Sequence, residues 1–190
     1  ETTMTIRKTT WEDFPEIQQI YAYAREQMRQ NGNPLQWGDD RPSAAALSQD
    51  IQAEASYVME EGGRICGVFS FIMGDDPTYA RIEQGHWLNE APYGTIHRLA
   101  GNGTVRGLFG SCLAFCASLH PNIRIDTHAD NLIMQHLLEK HRFVKCGIIH
   151  VEDGSPRIAC QRICPKNAAN SAVSTDMPSG PEACCAPGCF

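Results

Sequence analysis

Several features that would restrict the function are scarce in this chain of 190 residues. No apolar run approaches the roughly 18 residues needed to cross a bilayer. The polar N-terminal stretch lacks the apolar core of a signal peptide. Basic residues are outnumbered, with 16 Lys and Arg against 22 Asp and Glu, for a formal net charge of −6. We therefore expect no nucleic-acid partner and no membrane attachment, and we expect a cytoplasmic protein.

Internal repeats and long runs of like charge are also missing, whereas apolar residues are plentiful at 42% of the chain. That fraction is enough for a packed core, and the length is that of one domain with a short appendage. The composition changes near the C-terminus, where Pro, Ala, Ser, Gly and Cys replace large aliphatic residues. We expect a folded domain over residues 1–163 and a flexible tail over 164–190.

Nine cysteines are present, an odd number that cannot pair completely within one chain. Five lie mostly on apolar faces of periodic segments, and we expect them to be small buried hydrophobic residues: Cys66, Cys112, Cys116, Cys146 and Cys160. The tail pattern Cys184-Cys185-x-x-x-Cys189, even joined by Cys164, contains no CxxC pair and no nearby histidine. We therefore expect incidental thiols there and no bound metal.

The spacing of apolar residues and turn residues predicts an α/β chain with seven strands and four helices. The strands are expected at 4–7, 57–60, 65–73, 93–100, 122–127, 143–151 and 157–163. The helices are expected from Thr10 or Asp13 to about 30, at 43–55, at 105–119 and at 131–141. Residues 74–91 show no clean period and predict a long connection that ends in a strand edge.

A strand, a glycine-containing turn and a helix follow one another over residues 93–119, with Gly101 and Gly103 in the turn. Free backbone N–H groups and the positive end of a helix dipole at such a turn bind phosphate. An ordinary strand-to-helix turn has the same spacing, so both interpretations stay open. A dinucleotide-binding fold is a further alternative, with Asp126 at the end of the next strand, although Gly107 lies one residue too far for the G-x-G-x-x-G spacing. The chain also has only one such unit.

Two segments resemble the GNAT superfamily of N-acetyltransferases, and the resemblance extends over residues 5–163. The first is His97-Arg98-Leu99-Ala100, leading through Val105-Arg106-Gly107-Leu108-Phe109-Gly110 into a helix. The second runs from Asp130-Asn131 to Phe143. The resemblance implies a mixed, largely antiparallel twisted sheet of about six or seven strands, splayed in the middle and flanked by about four helices. It also implies acetyl transfer from acetyl-CoA, the cosubstrate, to an amine of a small molecule or an exposed peptide.

The same resemblance assigns binding roles to individual positions. Leu99 and Ala100 would hold the pantetheine arm and the thioester, and Asn131 would contact the pantetheine arm. The pyrophosphate would be held by Val105, Arg106, Gly107, Leu108, Phe109 and Gly110. A homodimer is left open, and no resident metal is expected.

Three positions depart from the family pattern. Leu138 stands where a tyrosine general acid is usual, Arg142 stands where a glycine is usual, and the glycine turn is shorter or has Leu108 in place of a glycine. Cofactor binding tolerates these changes better than acid catalysis does. A catalytically degenerate acetyl-CoA-binding module is therefore an alternative to an active enzyme.

Two histidines are candidates for proton transfer, because an ordinary histidine pKa of about 6.5 suits that role. His128 is the first candidate, since it follows the strand at which this family admits the cofactor. His97 is the second, on the neighbouring strand, and two-residue alternation would put it on the same face as Leu99. A surface position for His128 and a hydrogen-bonded core position for His97 are the competing interpretations. Trp37 and Trp87 could line an amine pocket or fill the core.

Overall fold

The computed structural model describes residues 3–165, which form one seven-stranded sheet with four α-helices. The expected tail from residue 166 onward, with Cys184, Cys185 and Cys189, lies outside the described residues. The strands are β1 (Met4–Lys8), β2 (Ser56–Glu61), β3 (Arg64–Met73), β4 (Gly94–Gly101), β5 (Asn122–Thr127), β6 (Val144–His150) and β7 (Pro156–Ile163). The helices are α1 (Phe14–Gln30), α2 (Ala44–Gln52), α3 (Leu108–Leu119) and α4 (Leu132–Lys140).

The sheet order is β1-β2-β3-β4-β5-β7-β6, and the pair of β4 and β5 is parallel while the other neighbours are antiparallel. That parallel pair is short, because only Gly94 opposite Ile123 and Thr95 opposite Arg124 are in register. Beyond Thr95 the two strands diverge. The expected mixed sheet, splayed in the middle, is confirmed.

Alternation along the strands gives each face of the sheet its own core. On one face, α1 and α2 pack through Ile17, Ile20 and Leu47 against strand residues such as Val58 and Val68. The opposite face carries α3 and α4. Its core contains Phe69, Phe71, Ile96, Phe109, Cys112, Leu113, Cys116, Ile123, Ile125 and Leu138. Both faces are thus covered by helices, which is the layered solution that a central sheet needs to bury its apolar side chains.

Helix ends follow the local chemistry of the sequence. Ser43 begins α2 by accepting a hydrogen bond from the N–H of Ala46, and Asn131 begins α4 by accepting one from the N–H of Met134. These side chains satisfy backbone donors that have no partner inside the helix. Among residues 3–165, no helix combines the length and the apolar character that crossing a bilayer demands.

The expected bounds of α2 and α3 and the expected form of the 74–91 connection differ from the structure, and α2 ends at Gln52 rather than near residue 55. The third helix begins at Leu108 rather than at residue 105, because Gly107 adopts a left-handed conformation with φ of +78° immediately before it. Val105 fits the apolar period because its side chain packs against the same core from the preceding turn. In residues 74–91 the chain forms a one-turn 3-10 helix, Pro77–Tyr79, and an isolated bridge between Glu83 and Ile148 instead of a strand edge.

The expectation for the five domain cysteines is confirmed, because all of them are buried and unpaired. Burial raises the pKa of the Cys160 thiol to about 12 and also raises the pKa of the Cys112 thiol. Cys164, expected to begin the tail, is buried as well, and its N–H donates to the carbonyl oxygen of Pro121 at 2.7 Å. The α3-side core therefore extends at least to this residue.

Candidate functional site

The divergence of β4 from β5 opens a cleft of about 220 Å³. The first wall is the last part of β4, from Leu99 to Gly101, and the second is the start of α4. The second half of α1 and the residues that follow it close the third side. Three of the residues predicted to bind the cofactor, Leu99, Ala100 and Asn131, therefore line one cleft, although 32 residues of sequence separate the first from the last.

A β-bulge in β4 forms the edge of this cleft. Val68 lies opposite Ala100 and Ser70 lies opposite His97, so Phe69 alone faces two residues of β4. The extra residue is Arg98, which has a φ of +54°. A left-handed conformation is costly for a residue with a side chain, and it persists only where neighbouring contacts enforce it.

Those contacts are present around Arg98. Its guanidinium donates two hydrogen bonds to the buried carboxylate of Asp50, at 2.7 and 2.8 Å. The hydroxyl of Ser70 donates to the same carboxylate at 2.6 Å, and the hydroxyl of Tyr21 donates to the carbonyl oxygen of Arg98 at 2.6 Å. Burial raises the pKa of Tyr21, so this hydroxyl keeps its proton. The bulge is thus held at both its side chain and its backbone.

The bulge also puts two predicted site residues, which were expected on the same face of the sheet, on opposite faces. Leu99 packs against the α3-side core, whereas His97 contacts Asp76 and Tyr79 on the opposite side of the sheet. The expectation that they share a face is wrong, because the extra residue interrupts the two-residue alternation between them.

The glycine turn leads from β4 to the N-terminus of α3. The N–H of Ser111 bonds to the carbonyl of Gly107, so the N–H groups of the three residues before Ser111 lack partners within the helix. Arg106 is exposed, and its guanidinium has no hydrogen bond or ion pair with any other residue in the range 3–165. This end of the helix can bind an anion through backbone N–H groups and one cation.

Other residues of the predicted phosphate segment have packing roles. The side chain of Leu108 lies against Gly101, and Phe109 is buried in the core. A side chain on Gly110 would meet the ring of His141 at 3.3 Å. Val105 lies at the rim of a different, larger hollow of about 600 Å³. That hollow is bordered by the β2–β3 turn and by charged residues, away from the parted strands.

Amide side chains join α4 to the loop that follows α1. Asn131 and Asn33 both donate to the side-chain oxygen of Gln36, at 2.8 Å each. The amide oxygen of Asn33 is buried and finds no hydrogen-bond partner within residues 3–165. Gln36 also receives a hydrogen bond at its backbone oxygen from Arg157, at 3.2 Å. This loop is therefore tied to both the start of α4 and β7.

His97, the histidine candidate on β4, lies on the side of the sheet that carries α1. Its Nε2 is 2.8 Å from a carboxylate oxygen of Asp76. The second oxygen of Asp76 accepts hydrogen bonds from the N–H and the hydroxyl of Thr78. Burial opposes ionisation of Asp76, but the hydrogen bonds from His97 and Thr78 outweigh it and lower its pKa to about 2.

A second hydrogen-bonded pair lies beside Asp76 and His97. The hydroxyl of Tyr79 donates to the carboxylate of Asp126 on β5 at 2.6 Å. Burial and the charge of Asp126 raise the pKa of Tyr79 well above its ordinary value. The guanidinium of Arg124 lies over the rings of Trp87 and Tyr93, 4.1 and 3.9 Å from their centroids. Aromatic side chains of the 74–93 connection thus form the wall beside His97.

The first histidine candidate, His128, follows β5 and is only partly exposed. Its Nδ1 accepts a hydrogen bond from the N–H of Asp130 at 3.0 Å. His128 therefore has a structural contact in the turn that leads into α4, and its Nε2 is the nitrogen left for other partners.

Sequence reasoning missed several residues of this site. Asp76, Asn33 and Gln36 lie in loops whose approach to the gap is set by the fold, and no spacing in the sequence indicates it. Tyr23 could have been noticed, because it is an aromatic residue outside the apolar stripe of α1. It lines the cleft and lies over Gly103 of the glycine turn. Leu138, at the position where the resemblance expects a tyrosine, is buried in the core.

No protein-family model and no curated protein matches this chain. Solved structures do match it. A GNAT-family acetyltransferase from Streptococcus agalactiae superposes with a TM-score of 0.78 at 28% identity, covering 87% of this chain and 100% of the other. An acetyltransferase from Salmonella typhimurium, solved with its cofactor acetyl-CoA, gives a TM-score of 0.56 at 16% identity, covering 90% and 99%. A ribosomal-protein-alanine N-acetyltransferase from Brucella melitensis gives 0.54 at 17%, covering 84% and 99%.

These similarities agree with the mixed, mostly antiparallel seven-stranded sheet and its four helices. Together they define an acetyltransferase-type fold. The chain belongs to the GNAT superfamily.

Proposed function

We propose that this protein transfers the acetyl group of acetyl-CoA to an amine. The observation that carries the proposal is the cleft between β4 and α4, which begins where the parallel pair ends and lies next to the free N-terminus of α3. A long ligand with an anionic group near one end fits such a path. The acetyl-CoA bound to the Salmonella typhimurium relative supports this choice of ligand.

The residues present suit the parts of acetyl-CoA. Leu99, Leu132, Ile133 and Met134 give the cleft apolar walls for the chain of the pantetheine arm. The unpartnered amide oxygen of Asn33 can accept a hydrogen bond from an amide N–H, and the pantetheine arm has two such groups. Gly107, the free N–H groups after it and Arg106 would hold the pyrophosphate.

When bound, acetyl-CoA supplies a thioester whose carbonyl carbon forms a bond to the amine nitrogen while the C–S bond breaks and the thiolate leaves. The edge of β4 beyond Thr95 has no β5 partner, so its backbone N–H groups near the bulge are available to the developing negative charge. Arg98 and Asp50 hold that edge in place. His97 would accept the proton that an ammonium acceptor must lose before it can attack.

The acceptor would approach from the α1 side of the gap, between His97 and the loop that contains Gln36. We propose a small-molecule amine or an exposed peptide amine. The carboxylates of Asp76 and Asp126 lie on this side and would attract a cationic amine.

One observation favours a second candidate, a module that binds acetyl-CoA without transferring the acetyl group. Leu138 is 2% exposed and apolar, so it supplies no proton to the leaving thiolate. A dinucleotide-binding function is the weaker alternative, because within residues 3–165 the sheet has a single, two-residue parallel pairing.

Two measurements test the proposal. Calorimetry should detect binding of acetyl-CoA at micromolar to millimolar concentration, and NAD should not bind. Release of the CoA thiol should then be observed with at least one member of a panel of amines. Absence of acetyl-CoA binding would refute the proposal, and binding without thiol release on any amine would favour the second candidate.

Paired variants then separate the two histidines. His97→Ala should lower kcat by about 100-fold or more while leaving the Kd for acetyl-CoA nearly unchanged. His128→Ala should lower kcat less, because His128 already bonds to the turn at Asp130. The opposite ranking would assign proton transfer to His128.

We also propose that the domain expected at residues 1–163 extends just past the buried Cys164 and that the residues beyond 165 are an appendage. A chain that ends after residue 165, which retains the buried Cys164, should keep acetyl-CoA binding and thiol release.

A further inference from the structure

A hydrogen-bonded pair of Asp76 and His97 lies next to the gap between β4 and β5. Apart from His97, one hydrogen-bonded contact holds the backbone of Asp76 and two hold its carboxylate. One oxygen accepts from the N–H and the hydroxyl of Thr78, at 2.9 and 2.7 Å. The backbone N–H of Asp76 donates to the hydroxyl of Tyr93 at 2.9 Å. The remaining oxygen is therefore aimed at Nε2 of His97, 2.8 Å away.

The protonation states decide how that bond is made. The hydrogen bonds that lower the pKa of Asp76 to about 2 keep its carboxylate ionised at neutral pH, so it can only accept. A neutral imidazole must then carry its proton on Nε2 and leave Nδ1 bare. Nδ1 has no hydrogen bond to any other residue that the structure describes.

We infer that Asp76 is a positioning residue, which holds His97 in the tautomer whose bare Nδ1 accepts the acceptor's proton. This inference rests on the proposed acetyltransferase function. In the step, the N–H bond of the substrate ammonium breaks, its electron pair stays on nitrogen, and the proton forms a bond to Nδ1. The resulting imidazolium is stabilised by the ionised carboxylate at Nε2.

Asp76→Asn tests the inference sharply, because the surroundings dictate how the new amide points. The N–H of Thr78 needs an acceptor, so the amide oxygen stays on that side and the NH₂ group faces His97. Nε2 must then accept, and the proton moves to Nδ1. Asp75→Asn is the matched control, since it removes the same charge from an exposed neighbour.

The first measurement is the tautomer itself, from long-range ¹H–¹⁵N NMR correlations of the His97 ring at a pH where the ring is neutral. The wild type and Asp75→Asn should show Nε2 protonated, and Asp76→Asn should show Nδ1 protonated. A wild type with the proton on Nδ1, or an unchanged pattern in Asp76→Asn, would overturn the inference. This measurement needs no substrate, so it stands apart from the test of the proposed function.

The second measurement is steady-state kinetics with an amine that the wild type acetylates. Asp76→Asn should lower kcat by at least about 100-fold, with the KM and Kd for acetyl-CoA changed less than about threefold. Thr78→Val, which leaves the His97 bond intact, should keep most of the activity. Reversal of the tautomer without loss of kcat would refute the positioning role, whereas a wild type inactive on every amine would refute the proposed function.

Discussion

The ion pair between Asp50 and Arg98 gives a stability prediction that can be worked out in numbers. The side chain of Asp50 is 7% exposed and that of Arg98 is 24% exposed. Asp50→Ala removes two charge-assisted hydrogen bonds, leaves a partly buried guanidinium without a counter-charge and takes an acceptor from Ser70. Removing one partner of a buried pair costs about 3–5 kcal/mol. For a protein of this size, about 4 kcal/mol corresponds to a fall in Tm of roughly 10 °C.

The assay is urea unfolding followed by far-UV circular dichroism, with equal m-values required before the free energies of unfolding are compared. Glu54→Ala is the control, because it breaks the exposed ion pair with Lys8 and should cost less than about 1 kcal/mol. In a double-mutant cycle with Arg98→Ala, the double variant should cost less than the sum of the single variants. A cost for Asp50→Ala no greater than that for Glu54→Ala would refute the reasoning.

Further predictions concern the anion site, the helix ends and acid stability. Arg106→Ala should weaken acetyl-CoA binding by about fivefold in calorimetry while kcat changes little, since one solvent-exposed charge contact is lost; equal affinities would exclude Arg106 from the site. Gly107→Val should lower both the free energy of unfolding and the affinity for acetyl-CoA, because φ of +78° costs a residue with a side chain about 1–2 kcal/mol, and Gly107→Asn should be milder. Asn131→Ala should cost about 1 kcal/mol of stability through loss of the α4 cap. The pKa of Asp76 is lower in the folded state, about 2 against an ordinary 3.8, so its contribution to stability is present above pH 4 and is lost as the pH falls towards 2. The deficit of Asp76→Asn in urea unfolding should thus be about 2 kcal/mol at pH 6 and about half of that at pH 3, and a deficit independent of pH would contradict it.

Much of the fold could be predicted from local patterns. The strand Asn122–Thr127 appears at its expected bounds, and α1, α2 and α4 lie where apolar spacing and capping residues place them. These elements are predictable because burial of one face and satisfaction of terminal N–H groups are decided by residues close in sequence. The start of α3 was missed, because Val105 satisfies the apolar period while packing from outside the helix.

The residues of the candidate site also fall into two groups, those that local sequence patterns predict and those that only the tertiary structure brings together. The sequence by itself determined the glycine turn, the segment that starts α4 and the two histidines, since each depends on residue type at short spacing. Only the tertiary structure decided that β4 parts from β5 after Thr95 and that the bulge at Arg98 turns His97 away from the face of Leu99. It also brought Asp76 to His97 across 21 residues of sequence. Strand divergence and long-range hydrogen bonds arise from packing between elements that are distant in sequence. The local spacing of residues in the sequence therefore does not indicate them.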